Sequence, residues 1–116
     1  MRDSILAEGC YLRRVRIDQS VVGIRTNIRS GTHIDHSVIL GADSYEESPP
    51  PGVPPLGIGR DVVLRRVIVD KNARIADGVQ LVNDSGAVHA DGDGWYIRDG
   101  IIVVPKGAVV TSGVTA

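Results

Sequence analysis

Phenylalanine is absent from this 116-residue chain, and aromatic residues make up only 3 % of it. An interior filled by Val, Ile and Leu and too narrow for a wide ring has that composition. The single cysteine, Cys10, excludes an internal disulfide and reads as a small buried hydrophobe. The formal charge is -1, with no interleaving of basic and aromatic residues, which argues against a nucleic-acid surface. The arginine pairs Arg13–Arg14 and Arg65–Arg66 read as solvated faces. No apolar run approaches membrane-spanning length and no signal or transit pattern precedes the first repeats, so a soluble, cytoplasmic protein is expected, with no membrane partner. Glycine-rich phosphate loops, nucleophile elbows and cysteine pairs at metal-ligand spacing are all missing.

What the chain does have is a period. Val22, Ile28, Ile34 and Leu40 form one series of aliphatic residues, Val63, Val69, Ile75 and Leu81 a second, and Ile97, Val103 and Val109 a third that ends on Thr115. Helices repeat their apolar face at three and four residues and half-buried strands at two, so neither accounts for a spacing of six. A hexapeptide repeat does, and it predicts a parallel β-helix whose short strands coil around a column of stacked side chains. Four residues after each series member stand Thr26, Thr32, Val38, Val67, Ala73, Val79, Ile101, Gly107 and Gly113, small or β-branched types for a narrow interior. Gly31, Asn72, Gly78 and Gly100 fall where corners are needed and tolerate left-handed backbone. Three hexads make a triangular turn of about eighteen residues, the spacing of Gly23, Gly41 and Gly59. The fold expected is all-β, a single-stranded left-handed parallel β-helix over 1–116 with roughly five coils. Winding in this sense departs from the usual right-handed crossover and rests on the hexads. Terminal coils of a solenoid need covering, so a partner domain or further copies of the chain are expected.

Two segments leave the repeat. Residues 42–57 contain Pro49, Pro50, Pro51, Pro54 and Pro55, which exclude helix and central strand. Residues 83–94 are rich in Asp and Gly. Excursions on a rigid scaffold are frequent binding elements and equally often plain surface.

Candidate chemistry is sparse. His33 and His36 lie three apart, and with His89 they make a poor ligand set, so no metal is expected. Hexapeptide acyltransferases use a histidine near a subunit groove as general base, a role open to His33 or His36, although no thioester-binding loop stands beside them. Only two lysines occur, Lys71 and Lys106, both off the inward positions. Ammonium groups at the corner of a rigid coil suit phosphate contacts if they converge, and are otherwise ordinary surface lysines.

The stretches Ser20–Arg25, Gly41–Glu46, Val69–Ile75 and Gly94–Ile101 resemble the C-terminal domain of ADP-glucose pyrophosphorylase (glucose-1-phosphate adenylyltransferase), especially its plant and cyanobacterial type. The resemblance runs over nearly the whole chain and takes in both excursions. It implies a left-handed β-helix that helps hold an oligomer together and lines an effector site. Two lysines of that site bind the activator 3-phosphoglycerate or the inhibitor phosphate, and Lys71 and Lys106 match them. The family's catalytic nucleotidyltransferase domain, which makes ADP-glucose from ATP and glucose 1-phosphate with magnesium, has no counterpart in this sequence. Catalytic residues are therefore not implied here, and magnesium, like any cofactor, belongs to that other domain. Its arginines also complete the effector site, so the isolated chain is expected to bind phosphate poorly. Pro105 stiffens the corner at Lys106.

The leading expectation is a regulatory and oligomerisation domain of glycogen or starch precursor synthesis. Its expected partners are a nucleotidyltransferase domain, copies of itself in a homo-oligomer, and an anionic phosphate-bearing effector. A small trimeric acyltransferase and a purely structural self-associating coil are the alternatives.

Overall fold

Short runs of β-branched residues broken every few positions by a turn cannot build long strands, and the chain forms strands of two to four residues. The computed structural model describes residues 5–6, 11–12, 14–43, 51–83, 86, 88–92 and 94–111. Cys10, Arg13, Pro49, Pro50, Gly113 and Thr115 lie outside them. The first coil holds β1 (Ile5–Leu6), β2 (Tyr11–Leu12) and β3 (Arg16–Asp18). The second holds β4 (Val21–Val22), β5 (Asn27–Ile28) and β6 (His33–Asp35), the third β7 (Val38–Ile39), β8 (Gly57–Ile58) and β9 (Val63–Arg65). Then come β10 (Val67–Val69), β11 (Arg74–Ile75) and β12 (Gln80–Leu81), followed by β13 (His89–Asp91), β14 (Tyr96–Arg98), β15 (Ile101–Val104) and β16 (Val109–Val110). No helix occurs among the described residues, and none is therefore long and apolar enough to cross a membrane.

Strands from successive coils pair in parallel and make three faces, ordered β1-β4-β7-β10-β15, β2-β5-β8-β11-β16 and β3-β6-β9-β12. Each face contributes one aliphatic column to the interior. Val22, Ile39, Val69 and Val104 are partners in register on the first face. Ile28, Ile58, Ile75 and Val110 form the second column, and Ile17, Ile34, Leu64 and Leu81 the third. All twelve are buried. Each contributes about 1.5–3 kcal/mol by leaving water, which offsets the ordering of a short coil only because the neighbouring coil completes the enclosure.

The repeat is not uniformly six. Ile17 pairs with Ile34 and Ile58 with Ile75, a turn of seventeen residues. The missing residue belongs to the corner between the third face and the first, which turns on a single left-handed residue: Gln19 (φ 46°), His36 (φ 47°) and Arg66 (φ 55°). The other corners spend two residues, as at Ser30–Gly31 or Lys71–Asn72. The hexad series therefore slips by one where it crosses the tight corner. Ile39 is buried while Leu40 is 41 % exposed, Leu64 replaces Val63, Ile102 and Val104 flank a half-buried Val103, and Val110 replaces Val109. Of the small inward positions, Thr26, Thr32, Val67, Ala73 and Val79 are buried, whereas Val38, Ile101 and Gly107 face outward. Gly23, Gly41 and Gly59 do not form one column either. Gly23 abuts Leu40, Gly41 abuts Ile24, and Gly59 abuts Asp77. At Gly41 (φ +93°) a side chain would strike the Ile24 carbonyl, so this rung admits only glycine.

The first excursion joins β7 to β8, and the second joins β12 to β15. The second is more ordered than a loop. Its strands β13 and β14 add to the first face as an antiparallel meander with β15. Gly100 is thus a hairpin residue, paired with Asp99 (φ 53°) in a two-residue turn with both φ positive. Ile97 of β14 enters the core, Trp95 packs against it, and Gly94 lies against Val109 and Val110.

Of the four buried hydroxyls, Ser20, Thr32 and Ser37 stitch neighbouring coils at their inner corners, while Thr26 Oγ1 donates to Gly23 O at 2.8 Å within its own coil. Thr32 Oγ1 donates to Gly59 O at 2.8 Å and accepts from Val62 N at 3.2 Å. Ser37 N donates to Ser20 Oγ at 3.0 Å, and Val67 N to Ser37 Oγ at 3.2 Å. Thr32→Val keeps the shape and strands one N–H and one carbonyl, so it should destabilise the chain by about 1–3 kcal/mol in denaturant unfolding. A loss under about 0.5 kcal/mol would show that this hydroxyl carries no stitch.

Candidate functional site

The corner between the first and second faces collects Ile24–Arg25, Gly41–Ala42, Lys71–Asn72 and Lys106–Gly107 on successive coils. Register fixes the last two pairs, because Val69 is paired with Val104 and Arg74 with Val109. Lys71 and Lys106 consequently occupy the same position on neighbouring rungs, roughly 4.8 Å apart along the coil axis. The Gly107 N–H donates to Lys71 O at 2.9 Å, tying the two corners together.

Each lysine is second in its turn and is followed by a left-handed residue, Asn72 (φ 60°) or Gly107 (φ +71°). Both side chains point outward into solvent as a result. Asp70 Oδ1 accepts the Lys71 N–H at 2.7 Å and closes that turn locally. Pro105 O accepts from Ala108 N at 3.0 Å, so the rigid Pro105 starts the turn that presents Lys106.

The first excursion leaves the coil at this same corner and brings Asp43 onto the lysines. Asp43 N donates to Asn72 Oδ1 and Asn72 Nδ2 donates to Asp43 Oδ2, both at 3.0 Å. Lys71 Nζ stands 3.6 Å from Asp43 Oδ1. The hydrogen bond from Asn72 holds the Asp43 carboxyl below the usual aspartate range; partial burial opposes this, and the charges of Lys71 and Lys106 reinforce it. Both ammonium groups thus act on one carboxylate. Side chains this exposed, 48 % for Lys71 and 54 % for Asp43, add little stability as a pair, and the arrangement matters for the field it makes. Arg25 Nε, one coil away, donates to Ala42 O at 3.0 Å and adds positive charge.

The two lysines singled out in the sequence are therefore brought together. Asp43, Asn72 and Arg25 were not recognised as their neighbours. The available signal was the point at which the repeat breaks, since the residues that open an excursion stay beside the corner they leave.

The histidines do not assemble. His33 on β6 has its Nε2 enclosed, 3.4 Å from Asp18 Oδ2, too poorly aligned for a hydrogen bond. His36 Nδ1 lies 2.8 Å from Asp35 Oδ1, and His89 sits on β13 in the meander. Burial raises the Asp18 carboxyl, but the charge and hydrogen bond of Arg16, with His33, outweigh it and leave the pKa lowered. A general base at His33 would have to present that enclosed nitrogen.

Known families supply one further finding. Residues 1–115 match the family model described as the GLGC left-handed parallel beta-helix domain. The match spans essentially the whole chain and fixes the winding of the coil as left-handed. With its parallel three-faced stack and seventeen-residue turn, the chain belongs to that family, the left-handed parallel β-helix domain of ADP-glucose pyrophosphorylase.

Proposed function

We propose that this chain is a regulatory and assembly module of ADP-glucose synthesis, in which Lys71 and Lys106 hold an anionic effector, phosphate or 3-phosphoglycerate. The observation that carries the reading is the shared corner: two lysines at equivalent positions on consecutive rungs, with the Lys71 ammonium 3.6 Å from the Asp43 carboxylate. An oxyanion with several acceptor oxygens can engage both at once, which one lysine alone cannot achieve. Asp43 acts as the resident counter-ion that holds Lys71 in position. The effector then biases a partner domain by its differential contacts with that domain's conformations.

Assembly uses the first face. Its outward side carries Val21, Val38 and Ile68 in register, exposed at 40 %, 37 % and 36 %. The next residue in register is the half-buried Val103; the exposed Ile101 lies two residues before it on the same strand, and Ile24 and Leu40 flank the ladder at the other corner. Aliphatic side chains on adjacent rungs form a contiguous strip suited to a nucleotidyltransferase domain or to another copy of the chain.

Three outcomes test the reading. With the chain joined to a nucleotidyltransferase domain of the same family, Lys71→Ala combined with Lys106→Ala should raise the 3-phosphoglycerate concentration for half-activation by about tenfold or more, the scale of a lost charge-assisted hydrogen bond. An unchanged response sinks the effector role. Asp43→Asn keeps an amide that pairs with Asn72 while removing the competing charge, and should tighten phosphate binding severalfold in calorimetry; weaker binding would show that Asp43 organises the site instead. Val38→Lys with Ile68→Lys should lower the solution mass measured by sedimentation, and an unaltered mass would remove the first face from assembly.

A further inference from the structure

We propose that the tight corner between the third and first faces carries a second anion site, separate from Lys71 and Lys106, for a small hydrophilic organic oxyanion bearing a phosphate or carboxylate group. Stacking works here as at the lysine corner. Asp35 is paired with Arg65 and Leu64 with Leu81, so Asp35–His36, Arg65–Arg66 and Val82–Asn83 lie on three successive rungs. The second excursion leaves the coil at this point. With Asn83, Gly86 and Gly100 it walls a cleft of about 480 Å³ over the two arginines.

Among the described residues that line the cleft, positive charge exceeds negative. Asp35 is its only lining carboxylate among the described residues, and both oxygens are engaged: Oδ1 lies 2.8 Å from His36 Nδ1 and Oδ2 3.6 Å from Arg65 Nε. Arg66 has no side-chain hydrogen bond or ion pair among the described residues, although a second guanidinium is its chain neighbour. Its backbone, by contrast, is held on both sides. Arg66 N donates to Asp35 O at 3.1 Å, and Arg66 O accepts from Ile102 N at 3.2 Å. Asn83 Nδ2 donates to Gly100 O at 3.3 Å and joins the far wall to the hairpin. A guanidinium with no side-chain partner among the described residues, on a fixed corner of a cleft where Val82 is the one apolar side chain among the described lining residues, is arranged to receive an oxyanion through its planar fork. Bare phosphate would underfill the space, which is in the range of small-ligand sites, so the body of the ligand is organic and polar.

The test uses the full chain carrying Lys71→Ala and Lys106→Ala, so that the outcome does not depend on the lysine corner. Inorganic phosphate and citrate are titrated separately while backbone amide shifts are followed by NMR, with glycerol as the neutral control. Saturable shifts at His36, Arg66, Asn83 and Gly100 are expected. A stronger response to phosphate identifies a phosphate ligand, and a stronger response to citrate a carboxylate. Arg66→Asn, which tolerates the left-handed backbone, should weaken binding at least about tenfold while leaving the amide spectrum of the core unchanged, and Arg66→Lys should restore part of it. No saturable shift with either anion, or undiminished binding in Arg66→Asn, would overturn the proposal.

Discussion

Everything in this molecule depends on inward aliphatic side chains lying directly over one another from coil to coil. A single coil has no interior; Ile34 is enclosed only because Ile17 lies on one side and Leu64 on the other. Parallel pairing in register puts like on like, and a narrow prism of Val, Ile and Leu then forms with no room for a phenyl ring. The buried hydroxyls follow from the same constraint. Where the chain turns inward at a corner, backbone groups that cannot reach the adjacent strand are satisfied by Ser20, Thr32 and Ser37.

Stacking also converts sequence position into surface chemistry. Residues at equivalent corner positions are brought to about one rung spacing however long the intervening segment, which is how Lys71 and Lys106 become neighbours across an insertion. Both excursions leave at corners and each furnishes partners to the corner it leaves: Asp43 to the lysines, and Asn83 with Gly100 to the arginines. The faces remain smooth, and one of them remains apolar.

The second excursion has an additional structural role. Asp-Gly-rich sequence reads as loop, yet β13 and β14 extend the first face and deliver Ile97 and Trp95 to the end of the core beside Val110. Alternation over Tyr96–Arg98 was too short to announce a strand, and its antiparallel pairing with β15 depends on the Asp99–Gly100 turn. Local composition there was compatible with either outcome.

The kind of fold is legible in the residues alone, because a six-residue aliphatic spacing in a chain without phenylalanine has few other ways to bury itself. The sequence also marked both lysines as outward-facing and located the two breaks. Tertiary structure alone decided the seventeen-residue turn, since Ile39 and Leu40 are equally aliphatic and only the one-residue corner at His36 selects which of them faces in. The stacking of Lys71 and Lys106 at one corner, with Asp43 beside Lys71, was likewise hidden, because it depends on how many residues each excursion removes from the coil before the register resumes. Hexad counting cannot supply that number; strand pairing across the insertion does.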